Sequence, residues 1–326
     1  MGDKYSKKDL NLLYELSINS RSPLNHIAKK IKTSQQGINY KIKLFQEKGI
    51  ISNFITIFDY SSLGFDCFRV FLRLNYSKPE HYESIIQSLL TNDSIISITP
   101  CSGKWDLIIL FASKNASKFN KSFQEIIKNH PHAFEDFEVL TTISASEYGR
   151  RYLADYSSHL GNIVYGGDRN QTALDLVDKK IILELLESPR SSYVNLSLRL
   201  KLNPKTIIHK IKSLEARGII KGYSINFDPH KLNFLSYKIL LKLHNLTPEK
   251  SELLKFCRQN KNIICLSKTL GYWNLELDAE LSNTSELNNF IHELKRKFNF
   301  IISDIDIIQT SKSPKISFIP KSFFTE

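Results

Sequence analysis

Gln36, Asn39, Tyr40 and Lys43 stand at i, i+3, i+4 and i+7, so on a helix they share one face. Two carboxamides, a phenol and an ammonium at that spacing suit hydrogen bonds to base edges in the major groove and charge contacts to phosphate. Lys205, Ile208, His209 and Lys212 repeat the spacing further along the chain. Each quartet lies opposite an apolar stripe, Ile38, Ile42 and Phe45 in the first case and Ile207, Ile211 and Leu214 in the second. Ser34 and Asn203, the latter followed by Pro204, read as N-caps whose helices aim free N–H groups outward, where a phosphate would sit. With Gln35, Lys41, Thr206 and Lys210, these residues make up the set expected to touch double-stranded DNA. The alternative is a helix face that is simply wet.

Charge separates the two readings. The 326-residue chain carries a formal net charge of +12. Arg21, Lys29, Lys30, Lys32, Lys41, Lys43 and Lys48 cluster against Glu47 alone between positions 21 and 51. Arg190, Arg199, Lys201, Lys205, Lys210, Lys212, Arg217 and Lys221 cluster against Glu215 alone between 190 and 221. These two segments hold the whole excess, which is the footprint of a polyanion partner. Other chemistry is weakly represented. Cys67, Cys101, Cys257 and Cys265 show no metal or disulfide spacing and read as core thiols of a reducing cytoplasm. His130 and His132 flank Pro131 and read as a solvent-facing turn rather than a metal pair. No phosphate-binding glycine loop or nucleophilic triad recurs, so neither metal nor cofactor is expected. The longest apolar runs, such as 107–112, are strand-sized, and the N-terminus lacks the apolar stretch of a signal peptide, so no membrane partner is expected.

The two basic segments belong to a repeat of the whole chain. Asp9 matches Asp178, and the register holds through Glu15 and Glu184, Gly49 and Gly218, and Phe58-Asp59 and Phe227-Asp228. "GKWDL" at 103–107 returns as "GYWNL" at 271–275. In each copy three short helix patterns lead to a strand, Ile51–Phe58 or Ile220–Phe227, and three helices plus a short hairpin make a winged helix-turn-helix. Strand and helix patterns in the order βαββαβ follow, bounded in copy one by Phe68–Tyr76, Pro79–Leu90, Ile95–Cys101, Trp105–Ala112, Ala116–Asn129 and Phe137–Ile143. Copy two repeats them from Tyr237–Leu243 and Pro248–Gln259 to Phe300–Ile308. That order implies a ferredoxin-like sheet with both helices on one face. The other face, taken to carry Val70 and Leu72, needs a cover, and the second copy's sheet is the expected one. The expected organisation is α+β: winged helix-turn-helix at 1–60, ferredoxin-like domain at 61–149, linker at 150–174, then the same pair at 175–229 and 230–326.

"LNPKTIIHKIKSLEARGIIKGYSINFDPHKL" at 202–232 and "SGKWDLIILF" at 102–111 resemble the Lrp/AsnC, or feast/famine, family of transcription regulators. The resemblance implies sequence-specific DNA binding, response to an amino acid or similar metabolite, sheet-to-sheet association, here within one chain, and assembly through further pairs of chains. It implies an effector site at the Gly-x-x-Asp/Asn turns, Gly103 to Asp106 and Gly271 to Asn274, with the second turn weaker because Asn274 lacks the charge of Asp106. A tight β-connection that needs no ligand is the alternative for both turns. The same architecture also serves siroheme decarboxylases. Those carry histidine and arginine just before the turn, where this chain has "ISITPCSGKW" and "ICLSKTLGYW", with Lys104 and Lys268 as the candidate cations. An enzyme therefore ranks second to a regulator, and a DNA-architectural protein without an effector third.

Overall fold

The computed structural model describes residues 5–75, 80–154, 162–244 and 250–324. Tyr76, Pro79 and Pro248, at the ends of expected elements, lie outside the described residues, as do 155–161 of the expected linker.

Copy one opens with α1 (Lys7–Ile18), α2 (Leu24–Lys30) and α3 (Gln35–Glu47). Ser6 and Asp9 close a capping box on α1, and Gly49 at φ 68° ends the third helix. Then come β1 (Ile51–Phe58), β2 (Asp66–Leu74), α4 (Glu80–Thr91), β3 (Ile95–Ser102), β4 (Leu107–Ser113), α5 (Ala116–Asn129), β5 (Phe134–Glu147) and β6 (Ile163–Gly166). Copy two repeats the plan with α6 (Leu176–Glu187), α7 (Tyr193–Leu200), α8 (Pro204–Ala216), β7 (Ile220–Phe227), β8 (Leu235–Leu243) and α9 (Lys250–Gln259). It ends with β9 (Ile263–Leu270), β10 (Leu275–Leu281), α10 (Thr284–Phe298), β11 (Ile302–Thr310) and β12 (Lys315–Ile316). The fold is thus two helix-turn-helix units, each followed by a ferredoxin-like domain.

The expected hairpin after each third helix does not form within a copy. β1 pairs with β7 instead, antiparallel, with Phe54 opposite Ile225 and Thr56 opposite Tyr223. Each strand has unpaired amides and one apolar face, and the equivalent strand of the other copy satisfies both. The helical cores are consequently exchanged. Ile57 and Phe58 of copy one pack among Ile181, Leu185, Ile211 and Leu214 of copy two. Ile225 and Phe227 of copy two pack among Leu13, Leu16, Ile42 and Phe45 of copy one. Hydroxyls lock the exchange: Thr56 Oγ1 donates to the Leu185 carbonyl and Ser224 Oγ to the Ser17 carbonyl, both at 2.8 Å.

The two four-stranded sheets join at both edges. β5 pairs with β9 along Thr141 to Glu147, and β11 pairs with β3 at Gln309–Ser102 and Thr310–Cys101. The order β11-β8-β10-β9-β5-β2-β4-β3 therefore closes on itself as an eight-stranded barrel with α4, α5, α9 and α10 outside. The face of β2 that meets the second copy is not the one expected. Val70 and Leu72 lie under α4 and α5 with Ile85, Leu89, Phe119 and Phe123. The inward residues are Cys67, Arg69 and Phe71. Two-residue alternation fixes which residues share a face but not which face the helices take, and here the helices take the wholly apolar one.

Part of the expected linker is structural. β6 adds to β5 beyond the barrel, with Glu147 opposite Ile163. Leu153 and Ala154 join the core of the first helical unit. At the other end Phe318, Ile319 and Phe324 join the core of the second unit. Each copy's last segment thus returns to clamp its own helices.

Candidate DNA interface and an interior ionic cavity

Both third helices start from side-chain caps: Ser34 Oγ accepts from the Gly37 amide at 3.0 Å, and Asn203 Oδ1 from the Lys205 amide at 2.8 Å. Gln35, Gln36, Asn39, Tyr40 and Lys43 are exposed on α3, and Lys205, Thr206, His209 and Lys212 on α8, while Ile208 is half-buried. Tyr40 keeps 64% of its surface exposed, high for an aromatic ring with no partner to cover it. Lys41 and Lys210 differ from the other expected contacts. Lys41 pairs with Asp9 at 3.0 Å, and Lys210 with Asp178 at 3.2 Å and with Asp175. Asp9 and Asp178 are also the capping-box residues of α1 and α6, so one carboxylate per copy starts the first helix and fastens the third. Burial alone would raise the Asp9 carboxyl, but Lys41 and the Ser6 groups outweigh it and hold it below its usual value. Arg21 and Arg190 are also occupied between the units: Arg21 Nη1 donates to the Pro189 and Ser191 carbonyls, and Arg190 lies 4.7 Å over the Phe54 ring. The charge available to a partner is therefore concentrated further onto the outer faces of α3 and α8.

The turns expected to hold an effector are occupied by the backbone. Asp106 Oδ2 accepts from the Leu74 amide at 2.7 Å, and Asn274 Oδ1 accepts from the Leu243 amide at 2.8 Å. The same acceptor role is filled with and without charge, so the Asp-to-Asn difference between the copies does not make the turns unequal in that role. Gly103 and Gly271 sit at φ 126° and 148°, which the tight connection itself requires. Trp105 and Trp273 turn inward and, with Phe71, Ile108, Leu140, Leu240 and Ile308, fill one end of the barrel.

The other end of the barrel is hollow. A cavity of about 430 Å³ lies between the barrel wall and the β1–β7 ribbon. Two cations at equivalent repeat positions, Arg69 on β2 and Lys238 on β8, face inward there. Their acids come from β10 alone. Glu276 Oε2 lies 2.9 Å from Arg69 Nε and 3.3 Å from Lys238 Nζ, and Asp278 also bonds Lys238. Burial would lower the Arg69 guanidinium, and Glu276 and Asp278 more than reverse it. The third β10 acid, Glu280, holds Arg150 through two bonds of 3.0 Å and accepts from the Tyr152 hydroxyl. Sequence reasoning missed this network. Its signal was "LELDAEL" at 275–281, three acids on one face of a buried strand.

Glu147 at the end of β5 also reaches the cavity and accepts from the Tyr165 hydroxyl at 3.0 Å. No cation stands within ion-pair distance of it among the described residues. Burial pushes its pKa up to about 7, against the Tyr165 bond, with Asp278 adding to the rise. Between about pH 4.5 and pH 7 the folded chain therefore binds more protons at this site than the unfolded one, and stability falls as pH rises through that window. Glu147→Gln removes this cost. In urea denaturation the variant is expected to match the native chain at pH 5 and to exceed it by roughly 2–3 kcal/mol at pH 8; equal stability at both pH values would contradict the burial of an ionisable carboxyl.

Two helix-turn-helix units held on one closed barrel give the architecture of a regulator that reads DNA. A winged helix-turn-helix DNA-binding family model matches residues 174–221. An uncharacterised HTH-type transcriptional regulator of Pyrococcus furiosus is 32% identical over 130 residues, covering 39% of this chain and 83% of that protein. The leucine-responsive regulatory protein of Serratia marcescens is 37% identical over 71 residues, 22% of this chain and 43% of that one. The chain belongs to the Lrp/AsnC-like family of HTH-type transcriptional regulators. Over its full length it also matches the crystal structure of the siroheme decarboxylase NirDL, with a TM-score of 0.60 and 13% identity, covering 98% of this chain and 97% of that one. At that identity the likeness is one of fold, and it supports the arrangement of two units in one chain. No helix among the described residues is long and apolar enough to cross a membrane.

Proposed function

We propose that this chain represses or activates transcription by binding an asymmetric duplex site, with α3 and α8 each entering a major groove. The observation that carries the proposal is the division of labour on the two third helices. Each turns a capped, exposed polar face outward, and its inner lysine is tied to the first helix. Gln36, Asn39 and Tyr40 on one side and Lys205, Thr206 and His209 on the other read different base edges, so the half-sites differ. Lys43 and Lys212 contact phosphate. The protein acts in the cytoplasm, beside the genome it reads, and a small metabolite tunes it.

A decarboxylase working on a polycarboxylate tetrapyrrole is the competing reading, and charge disfavours it. Each buried cation on the cavity wall, Arg69, Lys238 and Arg150, already bonds an acid. Lys104 and Lys268, the cations offered before the turns, are exposed on the surface. A polyanion would meet a wall whose buried cations are already matched by acids.

The test is the salt dependence of duplex binding. Lys43→Ala and Lys212→Ala should each lower the slope of log K against log salt by about one. Lys41→Ala and Lys210→Ala should lower stability and leave the slope alone. A slope insensitive to Lys43 and Lys212, or equally sensitive to Lys41, would sink this assignment of contacts.

A further inference from the structure

The Glu147 carboxyl sits in a cavity whose other buried charges are matched. Arg69, Lys238, Glu276 and Asp278 form one closed group, and Arg150 with Glu280 forms another. Glu147 accepts from the Tyr165 hydroxyl and faces the Cys265 thiol, and neither of these neutral groups supplies a positive charge. Thr142 Oγ1, also on the cavity wall, is buried with no partner at all. A neutral donor set around an unmatched carboxylate calls for a cation from outside the chain. The size of the cavity, about 430 Å³, falls in the range of small-molecule sites, and an eight-stranded barrel is wide enough to hold one such ligand. The same cavity wall carries the apolar residues Ile55, Ile57, Ile163 and Phe318, with Ile163 opposite Glu147 across the β5–β6 ladder.

We propose that the barrel cavity binds a small metabolite carrying one ammonium group on an apolar body, the ammonium pairing with Glu147 and the body lying against the isoleucines of the ribbon. The site is separate from the Gly-x-x-Asp/Asn turns, which lie beyond the aromatic plug at the opposite end of the barrel. It deepens the regulator reading, on which it rests only for its consequence. Ile55, Ile57, Ile225 and Phe227 line the cavity and belong to the ribbon, whose strands also build the two helical cores. A ligand there touches the element that sets one recognition helix against the other, so occupancy changes the spacing at which DNA is read.

Four charged or titratable groups face Glu147: Tyr165 from β6, Cys265 from β9, Asp278 from β10 and Arg150 just beyond β5. Burial raises Tyr165 and Cys265 well above their usual values, Arg150 stays charged, and Asp278 is bonded to Lys238. Glu147 is thus the group that changes between pH 6 and 8. Ammonium binding needs it ionised, so affinity should rise about tenfold over that interval while the amine itself stays protonated.

The experiment is calorimetric titration and thermal shift of the full chain with isopentylamine, and with 4-methylpentanoate as its anionic counterpart. It needs no DNA, so its outcome is independent of the DNA reading. Saturable binding of the amine at one site, tenfold tighter at pH 8 than at pH 6, with no response to the carboxylate, is the expected result. Glu147→Gln, which keeps the Tyr165 bond, should weaken it at least tenfold. Methyl NMR of the native chain gives a readout that does not depend on a variant: Ile55, Ile57 and Ile163 should shift with amine, and Ile126 on the inner face of α5, outside the barrel, should not. No amine binding, equal binding of amine and carboxylate, unchanged affinity in Glu147→Gln, or shifts away from those isoleucines would each overturn the proposal.

Discussion

Glu276→Gln should lower the stability of the chain by about 3–5 kcal/mol, read as a reduced urea midpoint with an unchanged slope. Glu276 is almost wholly buried and answers two cations at once, Arg69 and Lys238. With its charge gone, Lys238 keeps Asp278, but Arg69 is left in the barrel interior with no carboxylate. The cost is that of an uncompensated buried charge rather than of a lost contact. A second substitution distinguishes the two. Arg69→Met added to Glu276→Gln removes the orphaned cation and should recover a large part of the loss, so the double variant is more stable than the single one. If Glu276→Gln stays within about 1 kcal/mol of the native chain, the ionic network carries no such weight.

Phe58→Ala should loosen the helices of the second copy, and Phe227→Ala those of the first. Each ring is buried in the core of the other copy's helical unit, and removing a buried Phe side chain costs about 3–5 kcal/mol. Hydrogen exchange resolves where the cost falls. In Phe58→Ala, amides of α6 and α8 should exchange faster while α1 and α3 keep most of their protection, and Phe227→Ala should give the reverse. Faster exchange confined to the helices of the mutated copy would mean that the β1–β7 exchange does not form.

These two sites also mark what was and was not legible beforehand. Both linking strands, Ile51–Phe58 and Ile220–Phe227, were readable to the residue, because a glycine stop (Gly49, Gly218) precedes each and a Phe-Asp pair closes each. Their partner was not. Pairing across some 170 positions leaves no local mark, and a hairpin is the default for a strand next to a turn. The recognition faces were legible because helical spacing separates Ile38, Ile42 and Phe45 from Gln36, Asn39 and Lys43 without reference to anything distant. The ion pairs of Lys41 and Lys210 were not legible for the opposite reason: their partners, Asp9 and Asp178, lie on another helix. In β2 the alternation of Arg69 and Phe71 with Val70 and Leu72 was visible, and the expectation turned Val70 and Leu72, rather than the charge, toward the second copy. The charge faces inward because β10 supplies Glu276 and Asp278 to meet it. No acid stands at the equivalent positions of β4, Ile108 and Leu110, so the repeat itself gave no hint.

The asymmetry of the two copies runs through both halves of the molecule, and the central claim is that DNA registers it. Selection of the full chain against a random duplex library, at low salt and then at physiological salt, tests this directly. The expected outcome is an enriched site made of two unlike half-sites a whole number of helical turns apart, about 34–36 Å or a multiple. Asn39→Ala should relax one half, and His209→Ala the other. Recovery of a perfect palindrome, or no enrichment of any duplex at either salt, would contradict it.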